Sequence, residues 1–108
     1  MPVTAIESFD DFQKIINGSQ PAVINFWLES SGPCKFTSPL FEQYSERPEF
    51  AKLKAYKVDV DAQEQIAQEV GVRATPTFIV FKDGVKVGES VGADRQQLHH
   101  LVEQAASL

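Results

Sequence analysis

FWLESSGPCKF, residues 26–36, carries the end of an apolar run, a Gly-Pro turn and the chain's one cysteine, Cys34. Upstream, AVINFWL (22–28) is nearly continuous in apolar residues after Pro21. That pattern suits a strand covered on both faces, as in a parallel sheet between helices. Downstream, a helix is expected to open near Pro33 and continue through KFTSPLFEQYSE. Pro39 falls inside it, which predicts a kink there or an end just before it. The quoted stretch is therefore a strand-to-helix connection with a thiol in the first helical turn.

The flanking sequence extends the same alternation. VTAI (3–6) is a short β-prone segment. Ser8 is an N-cap candidate with Asp11 at the capping-box position, and Phe9, Phe12, Ile15 and Ile16 recur at helical spacing up to Gly18. LKAYKVDVD (53–61) alternates as a strand, with Leu53, Ala55 and Lys57 on one face and Lys54, Tyr56 and Val58 on the other. Asp61 with Glu64 is read as the cap of a short helix that stops at Gly71. TFIVFKDGVKVGESV (77–91) reads as two strands joined by a Lys82-Asp83-Gly84 turn. Asp94 with Gln97 opens an amphipathic helix that turns Leu98, Leu101, Val102 and Ala105 inward. The order is β-α-β-α-β-α-β-β-α, an α/β sandwich with a parallel start and an antiparallel hairpin at its end.

Composition sets the class. The chain of 108 residues has the length of one domain, spanning 1–108, and can bury a core without staples. A single cysteine excludes an internal disulfide framework and fits a reducing compartment, so a cytoplasmic location is expected. The net charge of -5 disfavours nucleic acid and anionic membrane surfaces as partners. MPVTAIESFDD lacks the basic start and long apolar stretch of a secretory leader. Successive His99 and His100 point about 100° apart on a helix and cannot share a metal, and no Cys/His cluster supports zinc. No metal and no cofactor are expected.

This element order, together with FW…GPCK…P and VRATPTFIVFKDG…VGA, resembles the thioredoxin family over essentially the whole chain, its small fungal cytosolic members in particular. The resemblance implies the thioredoxin fold, a central mixed sheet flanked by helices on both faces. It also implies thiol–disulfide exchange by two cysteines flanking Gly-Pro at a helix N-terminus. The first attacks a substrate disulfide as a thiolate and the second resolves the mixed disulfide. Here the pattern departs at three positions. Ser31 occupies the attacking position, Ser30 stands where tryptophan is usual, and Asn25 stands where a buried aspartate is usual. A serine hydroxyl neither ionises near neutral pH nor forms a disulfide, so dithiol reductase activity is expected to be lost or strongly reduced.

Cys34 is the remaining thiol, at the resolving position of an S-G-P-C loop of Ser30, Ser31, Gly32, Pro33 and Lys35. A helix's first turn with Lys35 adjacent favours a thiolate, whereas a small buried cysteine is often plain core filler. Ser31 is a good N-cap, accepting an N–H from the first turn. By resemblance, Thr75-Pro76 is a cis peptide facing the loop, and Trp27, Thr75, Pro76 and Gly92 line a substrate groove. Two functions compete. One is monothiol chemistry at Cys34, through mixed disulfides with glutathione or a protein thiol. The other is a redox-inert module holding a peptide-like partner. A further alternative is an active dithiol parent in which Ser31 was introduced in the laboratory. A monomer is expected, with a Cys34-linked dimer as a weaker possibility.

Overall fold

The computed structural model describes residues 3–108. Met1 and Pro2, part of the leader reading, lie outside the described residues. The elements follow the expected order: β1 (Thr4–Ala5), α1 (Phe9–Ile16), β2 (Ala22–Trp27), α2 (Gly32–Ser45), β3 (Lys54–Asp59), α3 (Glu64–Val70), β4 (Thr77–Lys82), β5 (Val85–Val91) and α4 (Arg95–Ala106). A 3-10 turn at Pro48–Phe50 was not anticipated. The described strands form one sheet in the order β1-β3-β2-β4-β5. β1, β3 and β2 are parallel, and β4 and β5 are antiparallel to their neighbours. This is the thioredoxin fold.

Period-two alternation along β2 and β4 sorts the two cores. Val23, Phe78 and Val80 point to one face and pack with Phe41 of α2 and Leu98 and Val102 of α4. Ile24, Phe26 and Ile79 point to the other, against Phe12 of α1 and Ile66 of α3. Because both faces are covered, these strands carry near-continuous apolar runs. The two faces assigned to β3 hold as well: Leu53 and Ala55 join the first core, Tyr56 and Val58 the second.

Local signals set most of the helix ends. The Ser8 hydroxyl accepts the Asp11 N–H at 3.1 Å, and the Asp94 carboxylate accepts those of Gln96 and Gln97 at 3.0 Å. One expectation is corrected and one alternative is decided. α3 is not capped by Asp61: Gln63 holds the N-cap position without a side-chain bond, and the Asp59 carboxylate takes the N–H groups of Asp61 and Ala62. A carboxylate at the end of a strand competes successfully for the turn that follows it. Of the two outcomes open at Pro39, the end just before it does not occur: α2 runs on to Ser45. The missing N–H costs about 3 kcal/mol. Continuing the helix buries Phe41 and Tyr44 one turn further on, which offsets that cost.

At the hairpin, Asp83 and Gly84 both take positive φ, 53° and 80°, the twist that matches antiparallel strands. The turn also docks on the end of α1: Gly84 N–H donates to the Ile16 carbonyl at 2.7 Å and Asp83 N–H to that of Gly18 at 3.0 Å. A Cβ on Gly84 would stand 2.5 Å from Asn17 Oδ1. Gly84→Ala is therefore expected to cost about 1–2 kcal/mol. Urea unfolding checks it, through a lower midpoint at an unchanged slope.

Candidate functional site

β2 ends at Trp27, and the chain turns back through a bond from Ser31 N–H to the Leu28 carbonyl at 3.0 Å. Ser31 takes the N-cap position of α2, with φ -79° and ψ 118°, but its hydroxyl makes no capping bond. That corrects the expected role: one of the two N–H groups a cap can take is missing at Pro33, and the hydroxyl does not take the other, that of Cys34. An N-cap side chain bonds the N–H of the second or third helical residue, and Pro33, in second place, has none. Ser30, Gly32 and Pro33 are exposed.

Cys34 is the third residue of α2 and is only 2% exposed. It forms part of the wall of a groove of about 360 Å³, together with Trp27, Leu28, Glu29, Lys35, Ser38 and Pro39. Lys35 is exposed, as is its neighbour Phe36, at 55%.

Behind Trp27 lies a second, smaller space. Asn25, on β2, is 2% exposed; its Nδ2 donates to Ser38 Oγ at 3.2 Å, and its Oδ1 has no hydrogen-bond partner. Asn25, Trp27, Ser38, Phe41, Glu42 and Lys57 line a cavity of about 60 Å³ that also reaches Val3. Lys57 is the register neighbour of Asn25 on β3, and its ammonium lies 5.5 Å from the centre of the Trp27 ring. The Glu42 carboxylate accepts the Val3 N–H at 3.4 Å.

The second loop arrives by register. Phe26 pairs with Thr77, and Thr77 with Val91. Pro76 and Gly92 therefore sit one step beyond, at the end of the sheet where Trp27 leads into α2. The Thr75-Pro76 peptide is cis. Gly92, at φ 95°, donates its N–H to the Pro76 carbonyl at 2.8 Å, a backbone setting that suits glycine. Trp27, Cys34 and Lys35 thus share one groove, and Thr75, Pro76 and Gly92 form a bonded loop at the same end of the sheet.

Sequence reasoning missed Ser38, Glu42 and Lys57. One signal was available: Cys34, Ser38 and Glu42 recur every four residues, one stripe of a helix. His99 serves packing between helices, with Nδ1 3.1 Å from the Tyr44 hydroxyl and Nε2 3.2 Å from Glu103. Among the described residues no group of three His, Cys, Asp or Glu side chains could hold a metal ion, and no helix is long and apolar enough to cross a membrane.

Comparison with known proteins agrees with this geometry. The thioredoxin family model matches residues 3–104. A thioredoxin of Malassezia sympodialis is 48% identical over 102 residues, covering 94% of this chain and 97% of that protein. One from Coprinus comatus is 41% identical, covering 95% and 97%. The crystal structure of the Malassezia sympodialis thioredoxin superposes with a TM-score of 0.94 at 47% identity, over 98% of this chain and 95% of that one.

Proposed function

Because the chain belongs to the thioredoxin family, we propose that it works as a single-thiol member, with Cys34 as its only reactive group. The supporting observation is the pairing of one cysteine with Ser31 at the other thiol position, on either side of a retained Gly-Pro turn. In the proposed reaction the Cys34 thiolate attacks one sulfur of a disulfide R–S–S–R′. A bond to R forms, the R–R′ sulfur bond breaks, and R′–S⁻ leaves and takes a proton from water. A second, external thiol then releases R and regenerates Cys34. Glutathione and cysteine-bearing protein segments are the candidate partners, the latter lying extended along Trp27, Thr75, Pro76 and Gly92. A cytosolic setting suits a protein that keeps one reduced thiol.

One observation favours a second reading, a peptide-binding module without chemistry: the sulfur is almost wholly covered. The deciding measurement is Cys34 alkylation in the folded protein across pH, followed by mass spectrometry after oxidised glutathione. The single-thiol reading expects reaction near neutral pH and one glutathione adduct, both abolished by Cys34→Ser. A thiol that reacts only after unfolding would leave the binding module as the function.

A further inference from the structure

β5 is an edge of the sheet, far from Cys34 in the strand order. Among the described residues it pairs with β4 on one side and has no strand on the other. An edge of this kind leaves one row of backbone N–H and C=O groups open to a further strand. Its first half also carries apolar side chains. Of the five large apolar residues exposed among the described residues, two, Val85 and Val87 (59% and 45%), stand here. A third, Leu108, shares with Val87 a groove of about 300 Å³ that Val80, Gly88 and Leu101 also line. A Cβ on Gly88 would stand 2.8 Å from Leu101 Cδ1, so the glycine lets the leucine come up against the strand.

A bulge decides which side chains of β5 share a face. Val80 is opposite Gly88 and Phe81 is opposite Lys86, which leaves Val87 as the extra residue. In a regular strand, residues three apart point to opposite faces. Here Lys86 and Glu89 point the same way and form an ion pair at 3.1 Å. Val85, Gly88 and Ser90, opposite Lys82, Val80 and Phe78, lie on the other face, with Val87 in the groove there. A lysine on an edge strand ordinarily blocks pairing with another chain. With Glu89 beside it, this edge accepts a strand that presents acid and base in reverse order. β5 is itself such a strand.

We propose that β5 is a self-association surface, through which two copies of this chain pair antiparallel about a two-fold axis between Val87 and Gly88. Lys86 of each copy then lies opposite Glu89 of the other, Val87 opposite Gly88, and Val85 opposite Ser90. The two members of each pair share a face of the bulged strand, as side chains directly opposite in antiparallel strands must. Both ion pairs fall on one face. On the other, Val87 of each copy passes over a residue without a side chain and meets Leu101 in the groove. Without the bulge, the same register would send Lys86 and Glu89 to opposite faces, so the bulge makes the strand complementary to itself. Val91, at the far end of β5, leads to Gly92 and the Pro76 loop. The two Cys34 grooves therefore sit at opposite ends of the joined sheet, and both stay open. An interface built on one strand is small, so the dimer is weak and reversible.

The test is sedimentation velocity from about 10 µM to about 1 mM, the range in which small interfaces associate. Dithiothreitol is present throughout, so that no Cys34 disulfide contributes. Salt is held at about 0.15 M, which screens the net charge of each copy beyond about 8 Å. The samples are the parent, Lys86→Glu, Glu89→Lys and an equal mixture of the two variants, with unfolding midpoints recorded to establish that each is folded. The parent is expected to form a reversible dimer. Either substitution alone sets like charges opposite each other at both pairs and should weaken association about tenfold. The mixture places glutamate against lysine at both pairs again, and should recover the parent's association through a heterodimer. A parent that stays monomeric over the whole range overturns the proposal. So does a dimer indifferent to these charges, or a mixture that associates no better than its components. Cys34 alkylation decides the single-thiol reading separately, and none of these results bears on it.

Discussion

Ser31→Cys is expected to convert this protein into a dithiol disulfide reductase. The introduced thiol would occupy the N-cap of α2, where unpaired N–H groups and the helix dipole favour a thiolate. Cys34 follows two residues beyond Gly32, as the third residue of the helix. On oxidation the variant should lose two hydrogens by mass as the pair closes. With dithiothreitol as reductant it should reduce insulin disulfides at least about a hundredfold faster than the parent, because resolution becomes intramolecular. Gly32 and Pro33 already separate the two positions, and Gly92 N–H donates to the Pro76 carbonyl at the same end of the sheet. Failure to close the disulfide would mean that Asn25 and Ser30 accompany a loop no longer shaped for two sulfurs. The binding-module reading would then take precedence.

Phe78→Ala is expected to be the most destabilising of the changes considered. Phe78 is fully buried, and its ring meets that of Phe41 edge-on, with centroids 5.3 Å apart at 62°. Removing it leaves a cavity between β4 and α2, at a cost of about 3–5 kcal/mol. For a chain of this size that lowers the melting temperature by roughly 15 °C or more. The effect should reach the site as well, since Phe78 is the register partner of Asn25 on the same face as α2. A loss below about 1 kcal/mol by calorimetry would show that the core closes over the missing ring.

Much of this architecture was legible from short range. The strand over 22–28, the helix after Ser8, the Asp83-Gly84 hairpin and the Asp94 cap each depend on neighbours a few residues away. The errors share one cause. Proline at 39 left a kink or a break open, and no break occurs because the apolar contacts of Phe41 and Tyr44 outweigh a single missing hydrogen bond. Serine at 31 argued for a capping bond, but the proline two residues on removed one of the two available donors and the hydroxyl does not take the other. Asp61 argued for another, but Asp59, at the end of β3, captured the turn first. In each case a local preference worth one or a few kcal/mol met a competitor of similar size.

Sequence by itself determined the element order, the polarity of each face and the presence of a single thiol at the Gly-Pro loop. These follow from periodicity, turn chemistry and the simple count of sulfur atoms. Only the tertiary structure decided that Asn25, Ser38 and Lys57 meet behind Trp27, that Glu42 faces the same cavity, and that Ser31 is left without a capping bond. Those outcomes depend on how α2 settles across β2 and β3. That settling is driven by burial of Phe41, Phe78 and Val23 rather than by any preference of the polar residues themselves.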